Sequence, residues 1–167
     1  MTIAAKDSFD YPVYPLAAAF AALYQLDDQN PSFGQGLKGY ARRFGAAYGD
    51  QAIGNLMGEG IVPSLLHQDP RYFRLGPGTS GKHRLWYAVT RVMVGKNDKG
   101  QWRFNSPEWL GNGASVAISN LYYPNDTRNV HDNVQKLFVQ VATDSFSNVL
   151  KEFWPDWKQK WFHKKAQ

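Results

Sequence analysis

Glycine recurs at four-residue spacing within a segment that is otherwise typical of a helix. Gly45 and Gly49 form one pair, and Gly54 and Gly58 form another. Each glycine in a helix interior costs roughly 1 kcal/mol relative to alanine, so packing has to offset the loss. Residues four apart share a helix face, and the pattern predicts a side-chain-poor ridge that lets a second helix approach closely. Packing within a bundle and an oligomer-forming or membrane-type interface both use such a ridge.

A matching ridge occurs in the segment 107–122. Ser106 and Pro107 predict a helix start, because serine is a good N-cap and proline is tolerated in the first turn. Small residues then repeat every four positions, at Gly111, Ser115 and Ser119. We therefore expect the second and fourth helices to pack together along their two ridges. The same faces are also candidates for contact between copies of the chain.

The remaining apolar periodicity predicts three further helices. The predicted helical segments are 15–26, 34–57, 83–94, 107–122 and 129–153. In the last of them, apolar residues at helical spacing predict a buried stripe, made of Val134, Leu137, Phe138, Val141, Phe146, Val149 and Leu150. Asp69 followed by Pro70 predicts a helix stop.

The sequence predicts an all-α, single-domain bundle of about five helices that spans residues 1–167. Turn-forming residues at 95–100, followed by alternation at 102–104, predict a short irregular or hairpin insert near 95–105. We expect flexible ends at 1–11 and 163–167. At 167 residues with 43% hydrophobic content, the chain is long enough for one sizeable core.

Composition excludes several classes of site. The chain has no cysteine, so thiolate chemistry and cysteine-bound metals are not available. Its formal charge of +5 suits an anionic partner, but the basic residues are dispersed and no common nucleic-acid motif occurs, which makes nucleic acid an unlikely partner. The first ten residues do not form a signal peptide as written.

The segment 153–165 is rich in tryptophan and lysine. Trp154, Trp157 and Trp161 fall on one helical face, and Lys158 lies among them. This pattern is typical of a helix on an anionic membrane surface. Tryptophans that cap the core of the bundle beside solvated lysines would give the same pattern.

Polar groups near the end of the second helix are candidates for acid–base chemistry. Glu59, His67 and Asp69 lie close in sequence, and another helix can add Glu108 or Asp144. Such a set could act as a general acid and base, and it is compatible with a divalent metal. No P-loop, dinucleotide fingerprint or zinc signature is present, so the sequence implies no cofactor.

A structural network is the alternative for the same residues. His67 and Asp69 would then satisfy groups at the helix end, and Arg71 or Arg91 would pair with a buried carboxylate.

Several segments resemble a family of bacterial, envelope-associated proteins without an established activity. The resemblance covers residues 6–156 and rests on segments 31–36, 52–55, 63–74 (PSLLHQDPRYFR), 117–124 and 150–156. It implies a glycine-rich helical fold and a location in the bacterial cell envelope or periplasm.

Two functions follow as hypotheses. The first is an envelope-associated binding module that contacts lipid or a partner protein through its aromatic and basic residues, namely Arg71, Tyr72, Trp154, Trp157, Lys158 and Trp161. The second is a small hydrolase, with or without a metal, whose acid–base site surrounds Glu59 and His67 and includes Asp69 and Glu108.

Overall fold

The computed structural model describes residues 13–162 as five helical rods and a small sheet. The helices are α1 (Val13–Leu26), α2 (Gly36–Asn55), α3 (Val62–Leu66), α4 (Gly81–Thr90), α5 (Ser106–Ser119) and α6 (Val130–Phe162). A π turn, Leu56–Ile61, joins α2 to α3, so these two helices form one rod. The predicted helical bundle is confirmed, and the predicted flexible ends 1–11 and 163–167 lie outside the described residues. No helix among residues 13–162 has the length and apolar character needed to cross a bilayer.

A three-stranded antiparallel sheet lies beside the helices. Its strands are β1 (Gln68–Asp69), β2 (Val94–Asn97) and β3 (Trp102–Phe104), in that spatial order. The β2–β3 hairpin is the insert predicted near 95–105. The sequence did not predict β1, which forms because His67 adopts a left-handed backbone (φ 53°) that ends α3 and redirects the chain.

The two small-residue ridges meet where the π turn crosses α5. A Cβ built on Gly111 would lie only 2.4 Å from Gly58 Cα, so the two backbones are in contact. Gly49 faces the Tyr122 ring, and its built Cβ is 3.6 Å from the hydroxyl oxygen. Gly45 is an exception, because it is exposed and a Cβ there would meet nothing within 4 Å. The predicted helix pair is therefore confirmed except at its N-terminal glycine.

The N-cap of α5 is Asn105 rather than the predicted Ser106. The Asn105 side chain accepts a hydrogen bond from the Glu108 backbone N–H and donates one to the Arg91 carbonyl. It therefore fixes the first turn of α5 against the end of α4 and sets the position of Glu108.

The predicted buried stripe of α6 is wrong at three positions. Val134, Phe138 and Phe146 are 46%, 59% and 51% exposed. The opposite face of the helix points into the molecule and carries the polar residues Lys136, Gln140 and Asp144. The buried apolar residues are mainly alanine and valine, namely Ala17, Ala21, Ala46, Ala88, Val92, Val116 and Val141, together with the larger Tyr123.

Candidate functional site

A cavity of ≈ 400 Å³ opens between the α2–α3 rod, α5, α6 and the sheet. Glu59 lines it from the π turn, Glu108 from the first turn of α5, and Asp144 from the middle of α6. We call it the carboxylate cavity. A π turn within an α-helix is rare and frequently marks a functional site. Here it places Glu59 opposite the other two acids.

Glu108 and Asp144 form a carboxyl pair inside this cavity. A side-chain hydrogen bond joins them, and the Asn112 amide donates to both, at 3.2 Å to Glu108 Oε1 and 2.9 Å to Asp144 Oδ2. Burial raises the pKa of Glu108, and the adjacent Asp144 raises it further. Burial also raises the pKa of Asp144, against opposing hydrogen bonds from Asn112, Glu108 and Gln51. The pair therefore retains a proton at neutral pH, which Glu108 donates to Asp144.

Glu59 supplies a third carboxylate with a basic partner. Lys151 Nζ lies 3.2 Å from Glu59 Oε1. The charge of Glu59 contributes to the raised pKa of Glu108, whereas Lys151 opposes it. The structure thus brings Glu59 and Glu108 into one cavity, as the sequence predicted, while their chemical role stays a prediction.

His67 does not join them. It is exposed at the end of α3 and does not line the carboxylate cavity. Its left-handed backbone turns the chain into β1, and its carbonyl accepts a hydrogen bond from the Asp98 N–H. His67 therefore does not share the cavity with Glu59, because α3 ends at Leu66 and the chain changes direction.

Asp69 lines the cavity but is held by Arg71. Arg71 Nη2 lies 2.6 Å from Asp69 Oδ2, and Nε donates to both carboxylate oxygens. These hydrogen bonds lower the pKa of Asp69. A carboxylate engaged in this way is a poor proton acceptor, so the geometry assigns Asp69 to the ordering of the cavity rim rather than to proton transfer.

The predicted tail residues are partly placed by the structure. Trp154 and Trp157 are exposed on α6, Trp154 lines the carboxylate cavity, and Lys158 is exposed. The side chain of Trp161 lies outside the described part of the structure. Pro155 lies within α6, so the helix continues past the predicted end at residue 153.

One wall of the carboxylate cavity alternates cations with aromatic rings. We call it the cation wall, and it consists of Arg71, Phe73, Lys96, Trp102 and Arg91. Lys96 Nζ lies 4.3 Å from the Phe73 ring centre and 4.8 Å from that of Trp102, and the Arg91 guanidinium lies 4.4 Å from the latter. Sequence reasoning missed Phe73, Lys96 and Trp102, because strand pairing brings together residues that are far apart in the chain. The mixture of Arg, Lys and Trp over 91–103 was the available signal.

A separate buried ion-pair cluster lies between α4 and α6. The Glu152 side chain is 0% exposed, and Arg84 Nε lies 2.7 Å from its Oε1. Arg84 also pairs with Asp156, and Tyr72 donates to Glu152. The fully buried carboxylate is thus paired by Arg84, which the sequence did not predict, whereas Arg71 pairs with Asp69, whose side chain is 14% exposed. The sequence signal for a buried Glu152 was its position among the apolar residues of the segment 149–154.

Metal binding gains no support from the described side chains. Among residues 13–162, no group of three or more His, Asp or Glu side chains is arranged to hold a metal ion.

Comparisons with protein-family models, with curated proteins and with solved structures found no match to this chain.

Proposed function

We propose that the protein binds to an anionic lipid surface of the bacterial cell envelope through an exposed apolar face. This apolar face consists of seven side chains that are 38% to 59% exposed, namely Leu85, Val89, Met93, Phe104, Val134, Phe138 and Phe146. Exposed apolar area of this kind on a folded protein usually marks an interaction surface.

The apolar face is continuous across α4, β3 and α6. Ser145 Oγ approaches the Val89 carbonyl at 3.5 Å, which places Phe146 beside α4. Farther along α6, Trp109 stacks on Phe104 and meets Phe138 edge to face, both at 6.5 Å between ring centres. The individual side chains therefore contribute to one surface that extends along the helix.

The orientation of α6 carries the proposal. Val134, Phe138 and Phe146 point outward, while Lys136 and Gln140 have buried polar atoms on the inner face. In water, an amphipathic helix of a globular protein turns its apolar stripe inward. The reversed arrangement is favourable when the outer surface meets an apolar medium.

Charge favours a lipid surface over a protein partner. The chain carries a formal charge of +5, and Lys158 follows the exposed Trp157 on α6. Indole rings and lysines suit the boundary between headgroups and acyl chains of an anionic bilayer. A partner protein that covers the same face would not require anionic headgroups.

Flotation with vesicles tests the proposal. We expect the protein to float with phosphatidylglycerol-containing vesicles, and we expect a double variant, Phe138→Glu with Phe146→Glu, to lose at least about tenfold in partitioning, because two charges would have to enter an apolar layer. Leu26→Glu with Leu37→Glu, at sites that are 85% and 86% exposed outside the face, is the control of equal charge. Equal losses in both variants, or no binding by the unmodified chain, would contradict the proposal.

The carboxyl pair favours a second function, a small hydrolase. A carboxyl pair that holds a proton offers a general acid, and a general base once that proton has been passed on. Because the two carboxyls are hydrogen-bonded, they are closer than the separation of about 5 Å or more used by glycosidase pairs, so an ester or amide substrate suits them better.

Activity measurements separate this second function from lipid binding. We expect Glu108→Gln and Asp144→Asn each to reduce hydrolysis of chromogenic esters or peptides by about 100-fold or more, whereas Phe138→Glu with Phe146→Glu, on the apolar face, should leave hydrolysis unchanged. His67→Gln, outside the cavity, is the control and should keep full activity. Hydrolysis that survives both carboxyl variants would refute the assignment.

A further inference from the structure

The carboxylate cavity contains two kinds of surface that face each other. The cation wall supplies positive charge and aromatic rings. The opposite side presents hydrogen-bonding groups from Asn55, Asn112 and the Glu108–Asp144 pair. A ligand that fills the cavity therefore has to carry a negative group at one end and several polar groups at the other.

The cation wall has positive charge available for such a negative group. Among residues 13–162, no ion pair joins Arg91 to a carboxylate, and its guanidinium is held between the Tyr87 and Trp102 rings at 4.2 and 4.4 Å. Asp69 lies across from Lys96 in the β1–β2 pairing, and its carboxylate is already held by Arg71. A phosphate beside Arg91 and Lys96 would form charge-assisted hydrogen bonds.

The opposite side fits hydroxyl groups. The Asn112 amide and the carboxyl pair combine donors and acceptors within one small region, and a hydroxyl group can both donate and accept. These groups already hydrogen-bond one another, and their oxygens have lone pairs left that can accept a further hydrogen bond from a ligand. A polyol would match them.

The cavity also adjoins the apolar face. Trp102 belongs to the cation wall, and Phe104, two residues later in β3, belongs to the apolar face. Glu108 lines the cavity, and the next residue, Trp109, stacks on Phe104. A lipid whose headgroup entered the cavity would keep its acyl chains on the side where the apolar face lies.

We infer that the carboxylate cavity binds a phosphorylated polyol, with the phosphate at Arg91 and Lys96 and the hydroxyls at Glu108 and Asn112. The lipid form of this ligand, a phosphoglycerol headgroup, rests on the proposed lipid association. Free glycerol phosphate has the same chemistry, and experiment distinguishes the two.

Two lipids of equal charge provide the test. Phosphatidylglycerol and phosphatidylmethanol both carry one negative phosphate, but only the first has headgroup hydroxyls. We expect the protein to partition about tenfold more strongly to phosphatidylglycerol vesicles, the combined value of two hydrogen bonds to neutral groups. Lys96→Gln should weaken binding of phosphatidylglycerol and of soluble glycerol 1-phosphate, measured by calorimetry. Lys99→Gln, an equal charge change in the exposed β2–β3 turn, should not.

The outcomes separate the inference from the proposed function. Equal partitioning to the two lipids would overturn the inference and leave lipid association standing. Lys96-dependent binding of glycerol 1-phosphate without vesicle binding would support the cavity as a polyol phosphate site and refute the lipid association. Equal losses for Lys96→Gln and Lys99→Gln would overturn the inference, since bulk charge would then explain the binding. Melting temperatures of both variants show whether each is folded.

Discussion

Two buried carboxylates in this molecule ionise in opposite ways, and their partners explain why. Burial alone would raise the pKa of Glu152, but hydrogen bonds from Arg84 and from the N–H groups of Leu75 and Gly76 outweigh it and lower the pKa. Glu108 is buried next to another acid, so its pKa rises. Burial favours the protonated form of both groups, and the hydrogen bonds and charges of their neighbours decide whether the pKa ends above or below its ordinary value.

The Glu152 pairing predicts a large stability loss on neutralisation. Glu152→Gln leaves the buried Arg84 without its main counter-charge, and we expect the free energy of unfolding to fall by about 3–5 kcal/mol. Asp69→Asn removes the partner of an exposed arginine and should cost about 1 kcal/mol or less. Urea denaturation at pH 7 measures both losses, and similar losses would contradict the assignment.

The same carboxylate predicts a pH dependence at the acidic end. Since the folded pKa of Glu152 is lowered, the stability that its ionised form contributes to the folded protein is present above pH 4.5 and is lost as the pH falls.

The carboxyl pair predicts the opposite pH dependence at higher pH. The folded protein keeps a proton on Glu108 that the unfolded chain releases above its ordinary pKa of 4.5. Stability should therefore fall as the pH rises from about 6 to 8, by up to about 1.4 kcal/mol per pH unit. Glu108→Gln, which cannot ionise, should flatten this slope and be the more stable protein at pH 8. Denaturation curves at pH 6, 7 and 8 would contradict this account if the two slopes were equal.

At the scale of helices, the sequence predicts which faces are chemically distinct, but it does not predict which face turns inward. Glycine spacing located the α2–α5 contact because only close backbones benefit from missing side chains. For α6, the spacing showed an apolar stripe through Val134 and Phe138 and a polar one through Lys136 and Gln140. Which face of α6 turns inward depends on its partners in the neighbouring helices, such as Asn112 of α5, which donates a hydrogen bond to Asp144.

The contact between the π turn and α5 predicts contrasting effects for two glycines of one helix. Gly111→Ala would place a Cβ 2.4 Å from Gly58 Cα, so the helices must separate, and we expect a loss of about 1–3 kcal/mol or more. Gly113→Ala meets nothing within 4 Å and should stabilise α5 by up to about 1 kcal/mol. Thermal unfolding of the two variants measures the difference. A tolerated Gly111→Ala would show that the ridges are not in contact.

Part of the candidate site could also be predicted from the sequence. Glu59 and Glu108 stood out because carboxylates on facing helices can meet, and both line the cavity. His67 was misplaced because a single left-handed residue, not visible as a pattern, turns the chain away. The cation wall depends on the pairing of β2 with β3, which no local periodicity specifies.

For the whole molecule, the distribution of apolar surface is unusual. The buried apolar core consists largely of alanine and valine, while large side chains such as Trp86, Leu121 and Val130 are more than 70% exposed. Unfolding in water would therefore expose less new apolar area than it does in a typical domain of this length. The surface, rather than the core, holds much of the hydrophobic side-chain area.

Calorimetry tests this distribution directly. We expect the heat capacity change of unfolding to lie below the usual 12–15 cal/mol/K per residue, because apolar side chains that already contact water add nothing on unfolding. The urea m-value should be low for the same reason. A heat capacity change within the usual range would indicate that these side chains are covered in solution.

The π turn imposes a length requirement on the chain. A π turn closes i→i+5 hydrogen bonds and so contains one residue more than an α turn. Deleting one residue would let this segment relax to an ordinary α turn, so α2 and α3 would keep their orientation while the side chains inside the turn move by one position. Between Asn55 and Pro63 the number of residues therefore matters more than most of their identities, and a homologue with one fewer would present a different side chain where Glu59 now stands.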